Sequence, residues 1–415
     1  MYKDNSIIHI GRRLKLNKLN SFKKFIKDII HYRGLLRGNL ISIKEISSGN
    51  ISDVEILSFK NVRLYYSSPL FNDGSDRKSE LREGRDYIQY AVHIKNAIIY
   101  GDSNLITLFH NQVLYDLPIY DEFKRYKYTN FNSKIITVKG NTVFYWKGIT
   151  DNLEKAVWMG GNFSWNYYHL LYEFVIKFLY LNNLDISLDI PVLVDQYCLE
   201  VPQYKELIDI ANRKGYRLIG VDRQRRVKVK ELIYINCPNL IPPNIKNNDQ
   251  VNDIQFDIKI LSELRRYFLS YSSQREFPRR LFISRKNASG RRRFNEDAVM
   301  KLLSKFGFEA VFPEKMSIPD QISLFNQADW IIGGSGAAFT NILFCRNSTK
   351  IIIFSKEYFN FSGFSTIASA LGIYLLYITE EDTNKKIIRG DIHDPFEINL
   401  TYLKEELINL GLKIG

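Results

Sequence analysis

From Arg280 to Phe344, short apolar runs alternate with longer amphipathic stretches. Leu281–Ser284 is the length of a buried strand and too short for a helix. Asn295 stands where a helix cap is wanted, helical spacing then runs to Phe306, and Gly307 closes it. Phe308–Phe312 predicts a second strand, Ile318–Asn326 a second helix and Trp330–Ile332 a third strand. Gly333-Gly334-Ser335-Gly336-Ala337-Ala338 follows, and a further helix is expected from Phe339. This order is that of a doubly wound α/β domain, whose ligands bind beyond the carboxyl ends of the strands. Arg285 and the Gly-rich turn both fall at such ends.

The same rhythm occupies residues 151–277. Ala156–Met159 predicts a strand, Gly160-Gly161-Asn162 a turn, Trp165–Asn182 a long helix, and Ile190–Val194 a strand ending at Asp195. A helix near Tyr204–Lys214, strands Arg217–Val221 and Leu232–Asn236, a loop over Pro238–Asp253 and a helix near Asp257–Tyr271 follow. Residues 40–150 differ: Val62–Tyr66, Tyr90–Ile94, Ala97–Tyr100, Ile106–Phe109 and Ile135–Val138 are short β-branched or aromatic runs separated by turn residues. They predict a β-rich N-terminal extension, with Asn72–Arg85 as a polar loop. Residues 1–39 are basic, with Leu19, Phe22, Phe25, Ile26, Ile29 and Ile30 near helical spacing. That fits an amphipathic helix on an anionic membrane face, and equally a helix docked on the domain with a solvated basic side. The expected divisions are therefore 1–39, 40–150, 151–277, 278–395 and a C-terminal helix in 396–415.

Composition narrows the partners. With 415 residues, 45% hydrophobic and 25% charged, the chain has core enough for two or three domains. A formal net charge of +13 favours nucleotide diphosphates, acidic glycans or anionic lipid. Nucleic acid is not expected as a partner, because no recognisable DNA- or RNA-binding module stands in the chain. The three cysteines, Cys198, Cys237 and Cys345, are widely spaced and offer neither a disulfide framework nor a metal motif. No run of about 18 uncharged apolar residues and no leader-like core appears. The expectation is a cytoplasmic protein, or one held peripherally on the inner face of the membrane.

The Gly-rich turn offers backbone N–H groups and a positive dipole end, which attract anions. Arg285 and the loop arginines Arg291, Arg292 and Arg293 add fork-shaped donors suited to phosphate. Together they read as a diphosphate site. The turn lacks dinucleotide spacing and a Walker lysine. Without a ligand, the same features read as a strand-end arginine, solvated loop arginines and a tight connection.

The pattern I-S-R, R-R-R-F-N-E, P-E, D-Q-I and A-D-W-I-I-G-G-S-G-A-A-F-T-N resembles the C-terminal signature of family 61 glycosyltransferases, which include bacterial capsular-polysaccharide enzymes. Trp165–Phe174, W-N-Y-Y-H-L-L-Y-E-F, resembles the upstream signature of that family. The resemblance implies the GT-B arrangement, two doubly wound Rossmann-like domains facing a cleft. It also implies inverting transfer from a nucleotide sugar to a hydroxyl of a growing surface or capsular polysaccharide. A lipid-linked acceptor would suit a membrane-docked basic segment. Ser335 departs from the pattern, since the family usually carries His there. A catalytically silent glycan- or nucleotide-binding scaffold of the same fold therefore stays open as an alternative.

Such a transfer needs a base for the acceptor hydroxyl and stabilisation of the leaving diphosphate. No Asp-x-Asp pair occurs, so no metal and no cofactor beyond the nucleotide sugar is expected. Stabilisation falls to Arg285, Arg292 and the turn Gly334, Ser335, Gly336, Ala337, with Arg291 as a helper. His169 lies in the upstream block, and Glu173, one turn on, can orient its imidazole. Trp165 and Asn166 are candidate acceptor contacts, Glu314 a candidate for a ribose hydroxyl, and Asn341 a donor-side group that orients a helix. Asn295-Glu296 reads as a helix cap.

Overall fold

The computed structural model describes residues 35–42, 53–71, 80–108, 111–115, 135–139, 142–146, 149–241, 253–287, 293–356, 361–379 and 395–414. Most of the basic N-terminal segment, the tip of the Asn72–Arg85 loop, most of the Pro238–Asp253 loop, Arg291 and Arg292 lie outside the described residues.

The first sheet is built from β1 (Leu35–Ser42), β2 (Val54–Ser67), β3 (Leu81–Tyr100), β4 (Ile106–Thr107), β5 (Gln112–Tyr115), β6 (Ile135–Lys139) and β7 (Thr142–Trp146), then β8 (Ile149–Trp158), β9 (Val192–Asp195), β10 (Leu218–Val221) and β11 (Arg225–Ile235). Its order is β10-β9-β8-β11-β3-β4-β5-β1-β7-β6, with β2 on β3. The four strands β10, β9, β8 and β11 run parallel, and β3 joins them antiparallel along nearly all of β11. The β-rich extension is thus continuous with the first α/β unit through one sheet.

The second sheet holds β12 (Arg280–Ile283), β13 (Glu309–Val311), β14 (Trp330–Gly334), β15 (Lys350–Ser355) and β16 (Tyr374–Thr379), all parallel, in the order β13-β12-β14-β15-β16. Strands buried on both faces read as continuous apolar runs, which is why β12, β13 and β14 are visible in the sequence one by one. The order reverses between β12 and β14. At such a reversal the chain leaves the two strands in opposite directions and opens a crevice at their carboxyl ends.

Three large apolar clusters show how the layers stack. On one face of the first sheet, Val157, Val194 and Ile233 meet Leu171, Phe178, Leu207 and Leu264, which are helical. The same cluster continues through Ile322, Phe325, Phe339 and Ile342 to Leu281, Ile331 and Ile351 of the second sheet. One helical layer therefore lies between the two sheets. The outer face of the second sheet, with Phe282, Ile332 and Phe354, packs on Val299, Leu303, Leu403 and Leu407. The C-terminal helix Leu400–Asn409 thus lies beside helix Glu296–Leu303 on the second unit.

The expectation of two doubly wound domains holds for the second sheet only. On the outer face of the first sheet, Ala156, Trp158 and Leu193 are covered by Ile41, Ile106, Leu108 and Leu114 from the N-terminal strand region. Strands, not helices, cover that side, because the extension folds over the sheet it also extends. The extension reaches the second unit too. Ser67 N–H donates to Thr366 Oγ1 (2.9 Å), and Tyr377 N–H donates to Leu70 O (2.8 Å), so the chain after β2 covers the exposed edge of β16.

Candidate active site

The crevice at the strand-order reversal contains the Gly-rich turn and Arg285. The half-buried Arg285 Nη1 donates to Ser335 O at 3.0 Å. A Cβ on Gly336 would stand 2.2 Å from that Nη1, and one on Gly334 would stand 2.9 Å from Arg285 Cδ and 2.8 Å from Phe294 Cε1. The two glycines therefore leave room for an arginine side chain and a phenylalanine ring. Glu296, in the first turn of its helix, accepts from Ser284 Oγ (2.6 Å) and from Arg285 N–H (3.1 Å), which fixes the chain as it leaves β12. Burial pulls the Arg285 guanidinium below its ordinary value, and Glu296 acts the other way. A guanidinium starts so high that it stays charged.

Beyond Gly336 the chain forms a 3-10 helix, Ala337–Phe344, rather than the α-helix expected from Phe339. It has no side-chain cap, and the N–H groups of Ala337 and Ala338 have no acceptor among the described residues. Ser335 is buried, with its N–H donating to Phe354 O at 2.8 Å.

His169 lies in a helical segment of unusual construction. An α-turn, Tyr167–His169, passes into a π-helical stretch, Leu170–Val175, and back to α over Lys177–Leu181. Such π stretches recur at functional sites. His169 Nδ1 pairs with Glu173 Oε1, and the two side chains are 18% and 10% exposed. Phe163 stacks on the imidazole with ring centroids 5.1 Å apart and adopts φ +67°, a conformation that costs a bulky residue energy. The ring is thus fixed by a carboxylate on one atom and an aromatic face beside it.

The two halves of the candidate site are joined by direct bonds. Tyr167 O–H donates to Asn341 Oδ1 (2.8 Å), Asn341 Nδ2 donates to Gln321 Oε1 (2.9 Å), and Gln321 Nε2 donates to Met316 O (3.1 Å). Tyr172 O–H donates to Thr340 O at 2.7 Å. The turn carrying His169 is thereby tied to the 3-10 helix that starts at the Gly-rich turn.

Other candidates fall elsewhere. Asn341 is fully buried within this chain of bonds, which suits an orienting group. Asn166 caps the His169 turn, its side chain accepting from Tyr168 N–H, so that oxygen is already engaged. Trp165 is 47% exposed, and its carbonyl accepts from Tyr204 O–H. Glu314 is exposed after β13, where its carboxylate accepts from Asn287 Nδ2 at 3.1 Å. Asn295 does not cap through its side chain. Its amide instead exchanges two bonds with the backbone of Ile398 and holds the C-terminal segment in place.

Asp195, noticed in the sequence only as a strand end, organises the approach to His169. Its buried carboxylate accepts from Asp102 N–H (2.5 Å) and Gly161 N–H (2.8 Å), tying the turn after β3 to the turn after β8. Burial pushes the carboxyl up to about 7 against the opposing pull of those two N–H groups. A carboxylate closing an apolar strand opposite a Gly-Gly turn was the available signal.

Among the described residues, no helix is long and apolar enough to cross a membrane. No curated protein matches the sequence. Residues 167–352, from the His169 turn to the middle of β15, match the family model Glycosyltransferase 61. With Arg285, the Gly-rich turn and the His169–Glu173 pair all inside it, that match supports a transferase of glycosyltransferase family 61.

Proposed function

We propose that the protein is an inverting, metal-independent glycosyltransferase of a GT-B-like arrangement whose first unit carries strands in place of helices on its outer face, moving a sugar from a nucleotide donor to a hydroxyl of a growing surface or capsular polysaccharide. The observation that carries the reading is the hydrogen bond from Tyr167 to Asn341, which joins an imidazole–carboxylate pair to an arginine-backed Gly-rich turn. In this reading the diphosphate lies against the N–H groups of Ala337 and Ala338, with the Arg285 charge behind the turn. Glu173 holds His169 by Nδ1, which leaves Nε2 to take the proton of the acceptor hydroxyl. Attack on the anomeric carbon from the face opposite the diphosphate breaks the sugar–phosphate bond in one displacement. The exposed Trp165 ring is a platform for the acceptor, and Arg291 and Arg292 are further hydrogen-bond donors to the phosphate oxygens.

The test is thermal stabilisation by a panel of nucleotides and nucleotide sugars, with and without chelator, followed by a transfer assay. A shift with one nucleotide, unaffected by chelator and lost in Arg285→Ala, is the expected result. His169→Ala should keep that shift and lose turnover by about 100-fold or more. Absence of any shift across the panel would remove the donor-site reading. Ser335 favours one other reading, a silent binder of the same fold. It predicts the shift with no turnover in the unaltered protein.

A further inference from the structure

Helix Gly363–Ala370 begins beside the His169 turn with its N-terminus unsatisfied. Its first residue is Gly363, and its cap position, Ser362, makes no side-chain cap. The Ser362 hydroxyl is turned away to Ile254 O (3.1 Å), and that of Ser365 to Ser67 O (2.8 Å). The first intrahelical bond runs from Thr366 N–H to Ser362 O, so the N–H groups of Gly363, Phe364 and Ser365 precede the ladder. Those three groups have no acceptor among the described residues.

A second observation is independent of the helix. Tyr168 is 5% exposed, and its hydroxyl has no hydrogen-bond partner among the described residues. It is aimed at the same place, since a Cβ on Gly363 would stand 2.4 Å from the Tyr168 oxygen. Phe361 and Phe364 pack against the Tyr168 ring at 5.6 Å, so the hydroxyl sits in an apolar frame. Burial holds the phenol well above its ordinary value, with Glu173 adding to the effect, so it is a neutral donor. Buried donors are nearly always paired in folded proteins. Here four of them belong to the start of one helix and the ring beside it: the N–H groups of Gly363, Phe364 and Ser365 with a helix dipole behind them, and a phenol against Gly363.

We propose that the Tyr168 hydroxyl and the N-terminus of helix Gly363–Ala370 form an oxyanion pocket, separate from the Gly-rich turn, that takes a carboxylate or phosphate group carried by the sugar substrate. Glu173 is a like charge close enough to act on the Tyr168 phenol, and it is paired with His169 on the same turn. Only the carrier of the anion rests on the glycosyltransferase reading. The pocket stands on the geometry alone.

The test is thermal unfolding of the full chain at fixed ionic strength, titrated with inorganic phosphate, with glucuronate, and with glucose as the neutral control. Phosphate, glucuronate or both should raise the midpoint, glucose should not, and the stronger anion names the group. In Tyr168→Phe the effective concentration of that anion should rise about tenfold or more, the usual value of a hydrogen bond to a charged partner. With no anion present, Tyr168→Phe should unfold at or above the unaltered midpoint, because an unpaired buried hydroxyl has been removed. The proposal is overturned by anion responses equal in both proteins, by no response to either anion, or by a Tyr168→Phe midpoint well below the unaltered one. A nucleotide-sugar panel run beside it separates the two readings. If nucleotide sugars fail while the Tyr168-dependent anion response persists, the transferase reading falls and the pocket stands.

Discussion

Replacing Asp195 with Asn tests how the approach to His169 is held. The carboxylate accepts from Asp102 N–H and Gly161 N–H, and both bonds favour its charged form. Burial opposes them and wins, moving the group from an ordinary 3.8 to about 7. The folded chain therefore keeps a proton that the unfolded chain has released, and the contribution of Asp195 to stability falls as pH rises from about 4 to 7. At ~1.4 kcal/mol per pH unit, the loss between pH 5 and pH 8 is roughly 3 kcal/mol. Asn keeps the shape and one acceptor oxygen but turns an amide N–H toward one of the two donors, a pH-independent cost of about 1–3 kcal/mol. Urea unfolding of both proteins at pH 5 and pH 8 separates the terms. The unaltered protein should be the more stable at pH 5, with its advantage reduced or reversed at pH 8. A difference that stays constant across the two pH values would refute a raised carboxyl at this position.

Gly336→Ala places a Cβ against the Arg285 guanidinium and should break its bond to Ser335 O, lowering affinity for the responding nucleotide about tenfold or more by calorimetric titration. Tyr167→Phe leaves the buried Asn341 Oδ1 without its donor, a cost of about 1–3 kcal/mol that should lower the thermal midpoint by about 1–3 °C. Glu173→Gln removes the charge that orients His169, and should cut kcat about 100-fold or more with little change in donor KM.

Legibility in the sequence followed locality. β12, β13 and β14 are readable because each parallel strand is a self-contained apolar run bounded by turn residues, and Gly307 takes the left-handed conformation (φ +75°) that its place after a helix implies. The pairing of β3 with β11 was not readable, since their residues lie more than a hundred positions apart and nothing in either run names its partner. For the same reason nothing in the sequence places the strand region of Ile106 and Leu108 over Trp158. Asn295 illustrates a different failure. Its type and position fit a cap, but a residue 103 positions away, Ile398, offers both an acceptor and a donor and takes the side chain. The His169–Glu173 pair was legible because four residues on a helix make neighbours. The π-helical stretch containing Glu173 had no sequence signal.

Ser335 gains a physical meaning from the same geometry. Its departure from the family pattern removes an imidazole from the turn, which from sequence alone amounts to the loss of a cation beside a diphosphate. The structure puts a guanidinium behind that turn, bonded to the carbonyl of Ser335 itself and seated in space that only glycines at 334 and 336 leave open. A positive charge fixed by the backbone it supports needs no reorganisation when an anion arrives, whereas a side chain at the rim would have to be ordered first. Because Arg285 bonds the carbonyl of residue 335 and not its side chain, that support does not depend on which side chain residue 335 carries. The absence of His at 335 therefore weighs less against catalysis than the sequence pattern suggests, and the strongest demand on the turn falls on the two glycines beside it.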